Sequence, residues 1–211
     1  MNTGDLIQTL AADAAPVRPA RIAPRLVAIF LIATAFWAAI LASWLELPPG
    51  TAAGLGWFWM KLVYSFVLAL AGLVATVRLA RPGGRMAAAA WIALAAVAAI
   101  AAMAVRETMA TAPSHMAALW LGQTWWICPL RILVTAAPIY AATLWLLRRA
   151  APTRLALAGA GAGLFAGAAG ATIYALYCQE TAAAFVLAWY TLGIAVCAAL
   201  GAAIGARLLR W

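Results

Sequence analysis

Chemistry in this 211-residue chain falls to its thiols. There is no carboxylate pair spaced for general acid–base work, no Ser-His-Asp set, no phosphate loop with a following lysine, and no dense group of metal ligands. Three cysteines remain, Cys128, Cys178 and Cys197. A thiol reacts as its thiolate, so its charged neighbours matter. Arg131 follows Cys128 by about one helical turn, where its cation favours a thiolate. Glu180 stands beside Cys178, where it opposes the thiolate or adds an oxygen to a soft-metal site made by the two sulfurs. The competing reading is a pair of small buried hydrophobes.

The elements that must position these thiols follow from composition. The chain is 68% hydrophobic and 9% charged, with a mean hydropathy of +1.01. A soluble domain is only about half apolar, so an integral membrane protein is expected. Six apolar runs, near 26–45, 57–77, 86–105, 126–147, 155–176 and 182–206, are each long enough to cross a bilayer as a helix. The first is too long for a signal-peptide core and is read as a span. The expected fold is therefore all-α: one bundle of six transmembrane helices over residues 25–211, preceded by a cytoplasmic tail, 1–24.

Charge sets the orientation. Of fourteen basic residues, eleven fall on one side of this scheme: Arg18, Arg21, Arg25, Arg78, Arg81, Arg85, Arg148, Arg149, Arg154, Arg207 and Arg210. The opposite loops carry Glu46, Glu107 and Glu180. The positive-inside rule then places both termini in the cytoplasm of a bacterial inner membrane, and the net charge of +9 reflects topology rather than direct nucleic-acid binding. Cys128 and Cys178 each lie roughly 30–36 Å above the basic side at 1.5 Å per residue, so they share the outer level, in an oxidising compartment. Cys197 lies deeper and reads as a core residue. Bonding of the outer pair would need Cα atoms within about 7 Å.

In the tail, Leu6, Ile7 and Leu10 recur at helical spacing, Asp5 falls in the first turn, and Asn2 or Thr3 can cap; a short amphipathic helix is expected over about 4–14. Such a helix is marginal alone and needs a partner or a membrane surface. Pro16, Pro19 and Pro24 prevent its continuation into the first span. Glu46-Leu47-Pro48-Pro49-Gly50 reads as an outer turn, Trp57, Phe58 and Trp59 as an aromatic belt, and Lys61 as a cation snorkelling outward from it. His115 reads as a solvated loop residue. Gly159, Gly163 and Gly167, with Gly201 and Gly205, suit close helix packing.

Several scattered motifs, in the same order, resemble the NrsF family of six-helix bacterial inner-membrane anti-sigma factors. They are Asp5-Leu6-Ile7 with Leu10, Ala11, Asp13, Ala14, Pro16, Val17 and Arg18; Gly122 with Trp125, Cys128 and Pro129; Ala151-Pro152-Thr153; Cys178 with Glu180; Trp189-Tyr190-Thr191-Leu192-Gly193; and Leu209-Arg210-Trp211. The resemblance implies that the tail, through Asp5 to Arg18, holds an extracytoplasmic-function sigma factor at the membrane. It also implies that Cys128 and Cys178 act in its release under metal or oxidative stress. No cofactor and no enzymatic activity are expected. A thiol oxidoreductase would usually show a C-x-x-C pair, which this chain lacks, and a small transporter would show charges at mid-membrane depth.

Overall fold

The computed structural model describes residues 2–12, 21–44, 56–150 and 152–210, the side chains of residues 38, 41–44 and 57 excepted. Among them every regular element is helical. In chain order these are α1 (Thr3–Ala12), α2 (Ile22–Trp44), α3 (Gly56–Leu79), α4 (Ala87–Ala110), α5 (Met116–Leu121), α6 (Cys128–Leu147), α7 (Leu155–Ala175) and α8 (Ala183–Leu208). A 3-10 turn, Pro113–His115, precedes α5. Pro129 sits in the first turn of α6, where a missing N–H costs nothing. Within α8, residues Val186–Tyr190 form a π-helical segment.

The bundle is built around α7. Fourteen of the 21 residues of this helix are Ala or Gly, and its neighbours approach to backbone contact. A Cβ on Gly159 would stand 2.2 Å from the Gly201 carbonyl oxygen of α8, and one on Gly163 would stand 2.2 Å from that of Cys197. One on Gly72 of α3 would stand 2.4 Å from the Phe165 nitrogen of α7. Such approach is how helices associate without a hydrophobic driving force between them. The residue pairings make α3, α6 and α8 all antiparallel to α7, while Arg148 Nε, donating 3.0 Å to the Leu208 carbonyl, marks α6 and α8 as parallel. The expected small-residue contact of the fifth apolar run is thus present, and Cys197 is a buried member of it, packed on Gly167.

Among the described residues five helices, from Phe58–Leu79 to Ala183–Leu208, are long and apolar enough to cross a membrane. The run expected to be the first span forms α2, a helix of 23 residues over Ile22–Trp44. The segment expected to be a long outer loop is in good part helical: α4 continues to Ala110, and α5 follows the 3-10 turn that carries exposed His115. The tail helix is present as α1, ending at Ala12, with Leu6, Ile7 and Leu10 all exposed. Its first turn hangs on the Asn2 carbonyl, which accepts from the Asp5 and Leu6 amides. Asp13, Pro16, Val17 and Arg18, the Glu46–Gly50 turn, Ala151 and Trp211 lie outside the described residues.

Candidate functional site at the thiol end

Cys128 begins α6, and Cys178 follows the end of α7 by three residues; both are buried, and all three cysteines are free thiols. Antiparallel packing of α6 on α7 brings the two to the same end of the bundle. Cys197, in the middle of α8, takes no part. What fixes the pair is a clamp. The Glu180 carboxylate accepts from the Gln123 amide (2.9 Å), the Thr124 amide (3.0 Å) and the Thr124 hydroxyl (2.9 Å). The Thr124 carbonyl in turn accepts the Cys128 amide at 2.9 Å. One carboxylate therefore ties the Cys178 turn to the segment that starts α6, and bonds to a charged acceptor are the stronger kind. Gly122 allows this: its φ is +54°, and a Cβ there would meet the Glu180 carboxylate at 2.4 Å.

Lys61 departs from expectation. It does not snorkel outward but is fully buried, and its ammonium donates to the Cys178 carbonyl. That contact joins α3 to the thiol turn across 117 residues of sequence. Lysine in an apolar helix is tolerated where such an acceptor meets it. Around the sulfurs lie three tyrosines. Tyr174 stacks edge-on against Tyr177 at 4.8 Å and lies 5.7 Å from Tyr190. The Tyr174 and Tyr190 hydroxyls are buried against the Cys178 thiol, and Tyr174 also meets the Cys128 thiol. Burial pushes the Tyr177 phenol up to about 12, with Arg131 pulling the other way, so it stays protonated at neutral pH. Arg131 itself lies over the Tyr174 ring, 6.0 Å from its centre.

A second carboxylate serves the same end. Glu107, near the end of α4, accepts from the Ala183 (2.7 Å) and Ala184 (3.3 Å) amides, two of the unpaired donors at the start of α8. Trp125 and Trp189 pack with ring centres 5.3 Å apart and planes tilted by 48°, and Trp189 donates 2.8 Å to the Trp120 carbonyl. Sequence reasoning missed Lys61, Thr124, Tyr174 and Glu107. A lysine five residues into an apolar run beside Tyr64 and Ser65 was the available signal for the first. As for a metal, no group of three or more His, Cys, Asp or Glu side chains gathers among the described residues, and Glu180 is already engaged by three donors. The thiol end offers two sulfurs and buried phenols instead.

Gly122, Trp125, Cys128, Cys178, Glu180, Trp189 and Tyr190, dispersed over seventy residues, thus meet at one end of an apolar helical bundle whose polar groups hold backbone rather than a substrate. This is the build of an all-helical, membrane-type protein. The profile described as "NrsF: Negative regulator of sigma F" matches residues 10–211. The chain is 42% identical over 222 residues to the "Anti-sigma-F factor NrsF" of Caulobacter vibrioides, covering the whole of both chains. It is 37% identical over 221 residues to the "Probable anti-sigma-F factor NrsF" of Azospira oryzae, again covering both entirely. The chain belongs to the NrsF family. No solved structure matches it.

Proposed function

We propose that the chain is an anti-sigma factor of the inner membrane, crossing it six times with both termini in the cytoplasm. Its tail holds an extracytoplasmic-function sigma factor, and the Cys128–Cys178 end releases it under oxidative or metal stress. The observation that carries the first part is α1: a helix with Leu6, Ile7 and Leu10 exposed along one stripe and no buried residue. Helix-in-groove recognition uses such a stripe, and Asp5 and Asp13 suit a basic partner surface and disfavour anionic lipid. The names of the two relatives agree with a sigma factor as partner.

For the second part, hydrogen peroxide that oxidises the pair accepts two electrons and two protons and leaves two waters, while one S–S bond forms between Cys128 and Cys178. Thiophilic metal capture by the same sulfurs releases their protons instead. Either event acts on the outer end of α7, the helix against which α3, α6 and α8 all close. The signal then reaches the tail as a change in that packing.

Pull-down of the tagged protein in mild detergent tests both parts. The L6A/L10A variant is expected to lose the sigma factor while inserting normally; full retention sinks the tail assignment. Cys128→Ser and Cys178→Ser are expected to keep the sigma factor after peroxide or metal treatment. Release unchanged in both single variants sinks the sensor.

A further inference from the structure

The opposite end of the bundle carries arginines in two distinct conditions. Arg148 donates to the Leu208 carbonyl, Arg149 lies 3.8 Å over the Trp145 ring, and Arg210 donates to the Ala206 carbonyl. Arg78, Arg81 and Arg85 have no such partner among the described residues, and all three are exposed around one hollow of about 540 Å³. The loop that shapes it is tightly built. The Arg81 amide donates 3.2 Å to the Arg78 carbonyl and the Gly84 amide donates 3.2 Å to the Arg81 carbonyl, so backbone needs are met within the turn. Gly83 has φ +73°, and a Cβ on Gly84 would stand 1.9 Å from the Arg78 oxygen. Only glycine permits a turn this close, and its effect is to bring Arg85 back beside Arg78.

Among the described residues of the bundle the two carboxylates, Glu107 and Glu180, are both engaged at the thiol end and not available to these cations. The hollow begins at Val77 and Arg78, in the last turn of the membrane-length segment Phe58–Leu79. In a bilayer that level is the headgroup region. Guanidinium forks match phosphate oxygens two at a time, and basic hollows at span ends take anionic headgroups. We propose that Arg78, Arg81 and Arg85 form a binding site for the phosphate of an anionic phospholipid headgroup. The site stands independently of the thiol reading.

The test uses the full chain purified in mild detergent, incubated with phosphatidylglycerol or with phosphatidylcholine, and retained lipid read by native mass spectrometry. Wild-type protein is expected to retain phosphatidylglycerol in preference to phosphatidylcholine. R78Q/R81Q/R85Q is expected to retain roughly fivefold less, and R148Q/R149Q/R210Q to lose less than about twofold. Equal losses in the two triple variants, or none in either, overturn the site. Because removing three loop charges also acts on topology, the single variants R78Q, R81Q and R85Q supply a second measure, each expected to lose about twofold. Wild-type retention in all three overturns the proposal. Displacement of the lipid by millimolar inorganic phosphate assigns the site to a free anion and overturns the headgroup reading, as does capture of a polyglutamate peptide with lipid retention unchanged.

Discussion

The thiol end and the Arg78–Arg85 loop at the other end treat charge in opposite ways. At the thiol end Glu180, Glu107 and Lys61 each spend their charge on backbone groups of a distant segment, so the loops and helix starts there are locked to one another. At the other end Arg78, Arg81 and Arg85 point into an open hollow with no protein partner among the described residues. Charged groups engaged with buried backbone define a geometry; charged groups left at a surface define an affinity. The first kind suits a place where a small chemical event must move helices, and the second a place where something external is met.

Substitutions separate the two ends by the size of their effect on the bundle. Lys61→Ala should be the most damaging, about 3 kcal/mol, because it empties a buried volume and removes the donor that meets the Cys178 carbonyl. Lys61→Met, which fills the volume, should cost less; equal costs measured by thermal unfolding in detergent would show that packing plays no part. Glu180→Ala removes one acceptor from three donors and should cost about 2 kcal/mol, with faster alkylation of Cys128 and Cys178 by a thiol reagent. Unchanged alkylation would mean that the clamp does not hold the pair. Glu107→Gln, which weakens the anionic cap of α8, should cost about 1 kcal/mol. At the other end Arg81→Gln should change stability by less than about 0.5 kcal/mol, since the side chain is exposed and has no polar partner among the described residues. A larger fall would erase the contrast between the ends.

Much of this plan is legible in the sequence. Apolar runs separated by arginine or glutamate loops announce the helices, and counting residues from those loops puts Cys128 and Cys178 at one level and Cys197 at another. Glycines at four-residue spacing announce the seam of α7 with α8. The partners of Lys61, Glu180 and Glu107 are hidden for one physical reason: each meets main-chain groups, which every residue carries and no residue type signals. Lys61 illustrates the cost. Near a helix end, a snorkelling lysine and a lysine turned onto a buried carbonyl have the same local sequence, and only the turn packed above α3 decides between them. The loop after α4 misleads differently, because Arg106 and Glu107 look like the start of a connection but lie within a helix that runs on to Ala110.

The π segment Val186–Tyr190 gives the last helix one residue more than a regular spiral of its rise would hold. Its two halves are therefore indexed separately, as two scales set against each other with an offset. The long part below keeps Gly193, Gly201 and Gly205 on the faces that meet α6 and α7, the segment itself holds Tyr190 beside the Cys178 thiol, and the short part above leaves Ala183 and Ala184 for Glu107. Removing a single residue from the segment would rotate everything above it by about 100° and leave everything below it in place. Loops aside, it is the point where the thiol end can be re-aimed without disturbing the glycine seam that holds the rest together.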